Sequence, residues 1–285
     1  MSCQRDLIND RIKAFYRNLF RKYLTGTKSR PEHNLFYLVP LKSTMRKSMN
    51  NEGNEQYVCQ VCGYNMVGYH PAFCPFCGAM NDKFLPADEN SERHHVEGTR
   101  VNAYVTRFNT VPKLGYEHAA YRVVADGAVF LVDCPSTFDR SLPRMDTIIF
   151  THHHFLGSCN QYRDLYPARV AIHEADFHHD LCRGFTFDDL FSGSYCDCGL
   201  RALHLGGHTP GFTCYFFRDV LFICDYIMKE QGKMILNPYG PRTATREGLV
   251  QLMGQIPDNP VSMVCGVNYV MDYPSWEKQV LPLTR

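Results

Sequence analysis

At 285 residues, with 45% hydrophobic and 21% charged residues, the chain has the composition of a folded globular protein and the length for more than one core, which excludes disorder as the default. No apolar run reaches the roughly 18 to 20 residues of a bilayer-spanning helix, and the amino terminus lacks the uninterrupted apolar stretch of a secretory signal, so a soluble, cytoplasmic protein is expected. The net charge of +1 hides an asymmetry: residues 1–50 hold eleven Lys and Arg against three Asp and Glu, a local +8 that leaves −7 for the remainder.

In that basic arm Leu7, Ile8, Ile12, Phe15, Tyr16, Leu19, Phe20, Tyr23 and Leu24 recur at helical spacing with the cations between them, which predicts an amphipathic helix over residues 4–24 ended by Gly26. The arm has the charge to bind an acidic partner, a membrane surface or nucleic acid, and Arg-rich, acid-poor leaders also target organelles, so a stroma or matrix location is the alternative to the cytoplasm. Docking against the protein's own acidic body is the preferred reading, and nucleic acid is not expected as a partner. Polar sequence at 47–56 reads as a linker.

Two Cys-x-x-Cys knuckles follow, Cys59-Gln-Val-Cys62-Gly63 and Cys74-Pro-Phe-Cys77-Gly78, separated by eleven residues. Four thiolates so spaced can close a tetrahedron round one cation. A glycine after each second cysteine lets the backbone turn with positive φ, so that amides approach the sulfurs. Of the thirteen cysteines, Cys134, Cys159, Cys182, Cys214, Cys224 and Cys265 lie in apolar segments and read as buried reduced thiols, while Cys196 and Cys198 sit in an expected loop with no assigned role.

A second linker is expected at Pro86–Gly98 before β-rich runs at Val101–Arg107, Ala119–Val124, Ala128–Asp133 and Thr147–Thr151. Later segments mix helices (Ser158–Tyr166, Glu174–Cys182, Thr245–Ile256, Ser275–Leu281) with strands (Arg169–His173, Leu200–Leu205, Phe212–Phe217, Val220–Cys224, Val261–Cys265), the pattern of a layered α/β domain over residues 98–285. Three of these strands end in groups that bind metals. Ile148-Ile149-Phe150 runs into Thr151-His152-His153-His154, where extended backbone would aim His152 and His154 the same way and His153 elsewhere. Leu200–Leu205 runs into Gly206-Gly207-His208-Thr209-Pro210-Gly211, and the apolar strand Val220–Cys224 ends on Asp225, a carboxylate for which a cation is the natural partner.

The stretch from Tyr57-Val58-Cys59 to Cys77-Gly78-Ala79-Met80-Asn81-Asp82-Lys83-Phe84 resembles the rubredoxin-like domain of rubrerythrins over residues 55–86. That resemblance implies an iron held by Cys59, Cys62, Cys74 and Cys77 that passes single electrons; zinc on the same thiolates would make a structural ribbon. The order Thr-His-x-His, Gly-His-Thr-Pro-Gly and strand-Asp is similar to that of the metallo-β-lactamase superfamily over Val101–Leu281. It implies an αββα sandwich with metal at one edge, ligands at His152, His154, His208 and Asp225, a supporting aspartate at Asp133, and a supporting strand end at Ile172-His173-Glu174.

The superfamily motif continues with Asp and His where this chain has Leu156 and Gly157, and its last histidine belongs where Gly266-Val267-Asn268-Tyr269 stands, so the second metal site is expected to be lost. Within the superfamily, persulfide dioxygenases hold one iron with the ligands matching His152, His208 and Asp225, whereas flavodiiron proteins, which work with rubredoxin, need a second iron; the chain resembles neither along its whole length. The leading expectation is a mononuclear non-haem iron oxidoreductase, acting through His152, His208 and Asp225 on a small-molecule substrate and fed by the rubredoxin-like iron or a redox partner. The alternatives are a single-zinc hydrolase with a structural zinc ribbon, and a non-catalytic scaffold.

Overall fold

The computed structural model describes residues 55–115 and 118–285, so the basic helix expected at 4–24, the rest of the arm at 1–50 and most of the 47–56 linker lie outside the described residues. Strands β1 (Gln56–Cys59), β2 (Asn65–Val67) and β3 (Phe84–Pro86) form an antiparallel sheet in the order β2-β1-β3. The expected linker at 86–98 is instead helix α1 (Ala87–Arg93) followed by strand β4 (His95–Arg100). Its polar composition concealed the helix: only Ala87 and Asn90 are buried, and Asn90 accepts from Gln60 Nε2 at 2.8 Å and donates to Thr137 Oγ1 at 3.0 Å.

The strand expected at Val101–Arg107 straddles a turn. Asn102 Oδ1 accepts from the amides of Tyr104 and Val105, both at 2.9 Å, and the chain returns as β5 (Val105–Val111). β4 is an exposed edge with Val96 alone buried, so it carries no alternation to read. With β6 (Ala120–Ala125), β7 (Ala128–Val132), β8 (Thr147–Ile149), β9 (Arg169–His173) and β10 (Asp189–Phe191) it makes a seven-stranded sheet in the order β10-β9-β8-β7-β6-β5-β4. The pairs from β4 to β7 are antiparallel and those from β7 to β10 parallel.

β11 (Tyr195–Asp197), β12 (Leu200–His204), β13 (Thr213–Phe217) and β14 (Val220–Cys224) begin the second large sheet, and a separate hairpin, β15 (Ile227–Glu230) with β16 (Lys233–Leu236), follows. β17 (Met263–Gly266) and β18 (Val270–Asp272) complete the six-stranded order β11-β12-β13-β14-β17-β18. Alternate residues explain the layering. Ile149 on one sheet and Val220 and Phe222 on the other share a core with Tyr121, Tyr215 and Cys265 between the sheets, whereas Ile148 faces outward to Cys159 and Tyr162 of α2 (Cys159–Leu165). Leu221 and Ile223 face the other way, under Leu249 and Leu252 of α4 (Arg242–Gln255) and Trp276 of α5 (Tyr273–Val280).

The helix expected at Glu174–Cys182 is broken into α3 (Glu174–Phe177) and a 3-10 turn (Asp180–Cys182), because His179 is extended and its Nδ1 accepts from the Leu181 amide at 3.2 Å, starting a new turn. The six scattered cysteines are buried free thiols; Cys196 and Cys198 are exposed, and the expected loop around them includes edge strand β11. Among the described residues no helix is long and apolar enough to cross a membrane.

Candidate functional site

The knuckles bring Cys59, Cys62, Cys74 and Cys77 together. Cys59 and Cys77 sulfurs lie 3.7 Å apart, as do those of Cys62 and Cys74. That is far too long for disulfides, and it matches the edge of about 3.8 Å in a tetrahedron with metal–sulfur bonds of about 2.3 Å. Gly63 and Gly78 have the expected positive φ, 79° and 74°. Their amides bond the Cys59 and Cys74 carbonyls at 2.7 and 2.8 Å, closing each knuckle, while the Val61 amide stabilises the Cys59 sulfur. The Cys59 thiol is held well below its ordinary range by hydrogen bonds from the other three, whereas burial drives Cys62 upward, so a cation would have to displace the Cys62 proton.

The second cluster gathers one donor each from His152, His154, His208 and Asp225, all within 4.8 Å of one another. His208 Nε2 is 3.2 Å from His154 Nδ1 and 3.5 Å from Asp225 Oδ2, and His152 Nε2 is 3.4 Å from Asp225 Oδ1. A tetrahedral site with bonds of about 2.1 Å has donor separations of about 3.4 Å. Both His152 Nε2 and Asp225 Oδ1 are buried without a hydrogen-bond partner, which is costly unless a cation lies between them. The donors present therefore fit a metal.

Contrary to the extended backbone expected at 151–154, β8 ends at Ile149 and the histidines lie in bends and turns; convergence comes from the turn. Asp133 fixes it, with Oδ1 accepting from the Thr151 amide at 2.9 Å and the Thr151 hydroxyl donating to both carboxylate oxygens at 2.9 and 3.0 Å. The hydroxyl in turn lies 2.9 Å from His152 Nδ1, so Nδ1 carries the proton and Nε2 turns its lone pair to the cluster. Burial pushes His152 down to about 3, drives His154 well below its usual value, and raises Asp133 to about 7. Burial alone would raise Asp225, but the facing imidazoles of His152 and His208, whose Nε2 atoms lie 3.4 and 3.5 Å from its oxygens, hold it at about 2. Burial thus keeps His152 and His154 neutral while Asp225 stays ionised, the protonation states metals bind.

Two supporting residues had little sequence signal. Asp176 is fully buried and accepts from the Gly211 amide (2.7 Å), the Thr209 hydroxyl (2.8 Å) and the His153 amide (3.2 Å), tying the His152–His154 turn to the His208 loop. His153 points away from the cluster, its Nδ1 3.1 Å from Asp176 and its ring stacked on His179 at 3.8 Å. Asn237 donates to Asp225 Oδ2 at 2.9 Å and to the Asp225 carbonyl at 3.0 Å, orienting the carboxylate. At the strand end expected to give support, Ile172-His173-Glu174, His173 accepts from the Ala175 and Gly193 amides and stacks on His204, and the nearby Asp176 reaches the site.

Neither Leu156 nor Gly157 adds a donor to the cluster. Leu156 packs into the core with Cys134, Cys159 and Tyr162. Gly157 has φ +50°, and a Cβ there would lie 2.3 Å from the Pro135 carbonyl oxygen and 2.4 Å from that of Cys134. No histidine fits at 157 without moving that backbone.

The two clusters are close neighbours. Phe76, inside the second knuckle, sets its ring edge-on to His154 with centroids 5.3 Å apart. Asn65 Nδ2 donates to the Ser136 carbonyl at 3.0 Å and the Tyr64 hydroxyl to the Leu181 carbonyl at 2.8 Å, fastening the small sheet to the sandwich.

No family model and no curated relative matches the sequence. Among solved structures the chain is similar to a metallo-β-lactamase from Pontibacter korlensis (TM-score 0.54, 15% identity, 67% of this chain and 99% of that one). It is also similar to a metallo-β-lactamase from Hirschia baltica (0.52, 15%, 67% and 98%) and to VMB-1 (0.51, 11%, 67% and 99%). At these identities the likeness is one of fold. The chain is a metallo-β-lactamase-fold protein with a His/Asp metal-binding site and a separate four-cysteine cluster.

Proposed function

We propose that the chain is a mononuclear non-haem iron oxidoreductase whose rubredoxin-like ribbon, residues 55–86, delivers electrons to the His/Asp centre of residues 98–285. The observation that carries this reading is the contact between Phe76 and His154, which leaves one aromatic ring between the knuckle that holds one metal and a ligand of the other. Cys59, Cys62, Cys74 and Cys77 would hold the electron-carrying iron, and His152, His154, His208 and Asp225 the reactive one. Bound iron supplies one-electron and oxygen chemistry at such a site. The residues of the chain present neutral imidazole donors, fix them through Thr151, Asp133 and Asp176, orient Asp225 through Asn237, and exclude water by burial.

Coordination number favours iron chemistry over single-zinc hydrolysis. Catalytic zinc is held by three protein donors, whereas four converge here and would suit an iron that supplies one-electron or oxygen chemistry. Elemental analysis and the visible spectrum of the aerobically purified full chain test the reading. Two irons per chain and a thiolate-to-iron charge-transfer band are expected, and a colourless protein with stoichiometric zinc at both clusters would contradict it.

A further inference from the structure

His118 is an unassigned side chain beside this centre. It is 2% exposed, its ring stacks on Phe155 at 3.9 Å and 24°, and its Nε2 is buried without a hydrogen-bond partner. The remaining ring N–H, on Nδ1, donates to the Cys134 carbonyl. The next residue, Ala119, donates its amide to the Val267 carbonyl at 3.2 Å, and Val267 donates to the carbonyl of Cys224, the neighbour of Asp225, at 2.7 Å. His118 is thereby tied to the loop in which the superfamily's last histidine is missing, and Phe155, on which it stacks, sets its ring edge-on to His152 with centroids 5.1 Å apart.

We propose that His118 is a ligand-positioning residue of the His/Asp centre, its Nε2 lone pair accepting a hydrogen bond from the O–H or S–H of a small protic ligand seated against Asp225. The inference rests on the reading of that centre as a metal site. A purely structural residue here would be better as Phe or Leu, which stack on Phe155 without leaving a buried polar atom unsatisfied. A second metal is the poorer occupant, since Leu156 and Gly157 offer no donors and leave only His118 and Asp225. Burial keeps the imidazole neutral, with its affinity for a proton lowered to about 3, so Nε2 remains an acceptor.

The full chain loaded with cobalt(II) tests this through two planar monoanions of the same shape, bicarbonate, which has an O–H, and nitrate, which has none. Ligand-dependent cobalt bands come from the His/Asp centre, because the four-thiolate site is closed. The ratio of bicarbonate to nitrate affinity is expected to fall about tenfold in His118→Phe, one hydrogen bond's worth, and to be largely kept in His118→Gln, whose amide oxygen also accepts. His118→Leu gives the same reading if the Phe variant does not take up cobalt. Nitrate bound as tightly as bicarbonate by the unsubstituted protein, or an unchanged ratio in the Phe and Leu variants, overturns the role of His118 alone. Absence of any cobalt band outside the thiolate site overturns the metal reading itself.

Discussion

Asp176 joins the two segments that carry the histidine donors without itself belonging to the cluster. It collects the Gly211 and His153 amides and the Thr209 hydroxyl in a fully buried position, and so holds the turn bearing His152 and His154 in register with the loop bearing His208. Asp176→Ala is expected to weaken metal binding at the His/Asp centre by roughly 10- to 100-fold, with Asp176→Asn intermediate, while the four-cysteine site is unaffected. Competition with a chromophoric chelator reads both sites; equal weakening at the two would mean general loss of structure. The four donors were legible in the sequence because each follows an apolar strand, whereas nothing in the local sequence singles out Asp176 or Asn237. Their roles are set by contacts across 33 and 12 positions of chain, which no local pattern records.

At the scale of elements, the sequence is most readable where burial is two-sided. Strands β9 and β14 match their expected bounds at both ends, since β14 is apolar and buried throughout and β9 is an apolar buried run, Val170–Ile172, bracketed by Arg169 and His173. β4, β15 and β16 were missed because exposed edges and hairpins alternate weakly, and α1 because its helical face is two residues wide. The attachment of the ribbon was likewise hidden: Tyr64 and Asn65 reach carbonyls 117 and 71 residues away. Tyr64→Phe leaves the buried Leu181 carbonyl unpaired and is expected to cost about 1 to 2 kcal/mol in urea unfolding. A change within error would show that the ribbon is fastened by other contacts.

The molecule as a whole stores neutral histidines in its interior, and this fixes how its stability responds to acid. Burial lowers His118 and His152 to about 3 and His173 and His179 to about 4. Between an unfolded value of about 6.5 and those folded values the unfolded chain binds more protons, so stability is lost as pH falls through that window. Asp225, held at about 2, contributes stability above an unfolded value of about 3.9 that is lost toward pH 2. Asp133, raised to about 7, works the opposite way, losing stability as pH rises from about 4 to 7, but it is one group against four. The melting temperature of the metal-free protein is therefore expected to drop steadily from pH 7 to pH 5. A flat or rising profile would mean that these imidazoles are solvated.

Among the described residues the sandwich presents one set of His and Asp donors, with Leu156 in the core and no room for a Cβ at Gly157 beside the Cys134 carbonyl. Anomalous difference maps from crystals of the full chain, recorded on either side of the iron absorption edge, test this most directly. The expected result is one iron peak among the four sulfurs and a single iron peak among His152, His154, His208 and Asp225. A pair of peaks among those donors, or none, would contradict it.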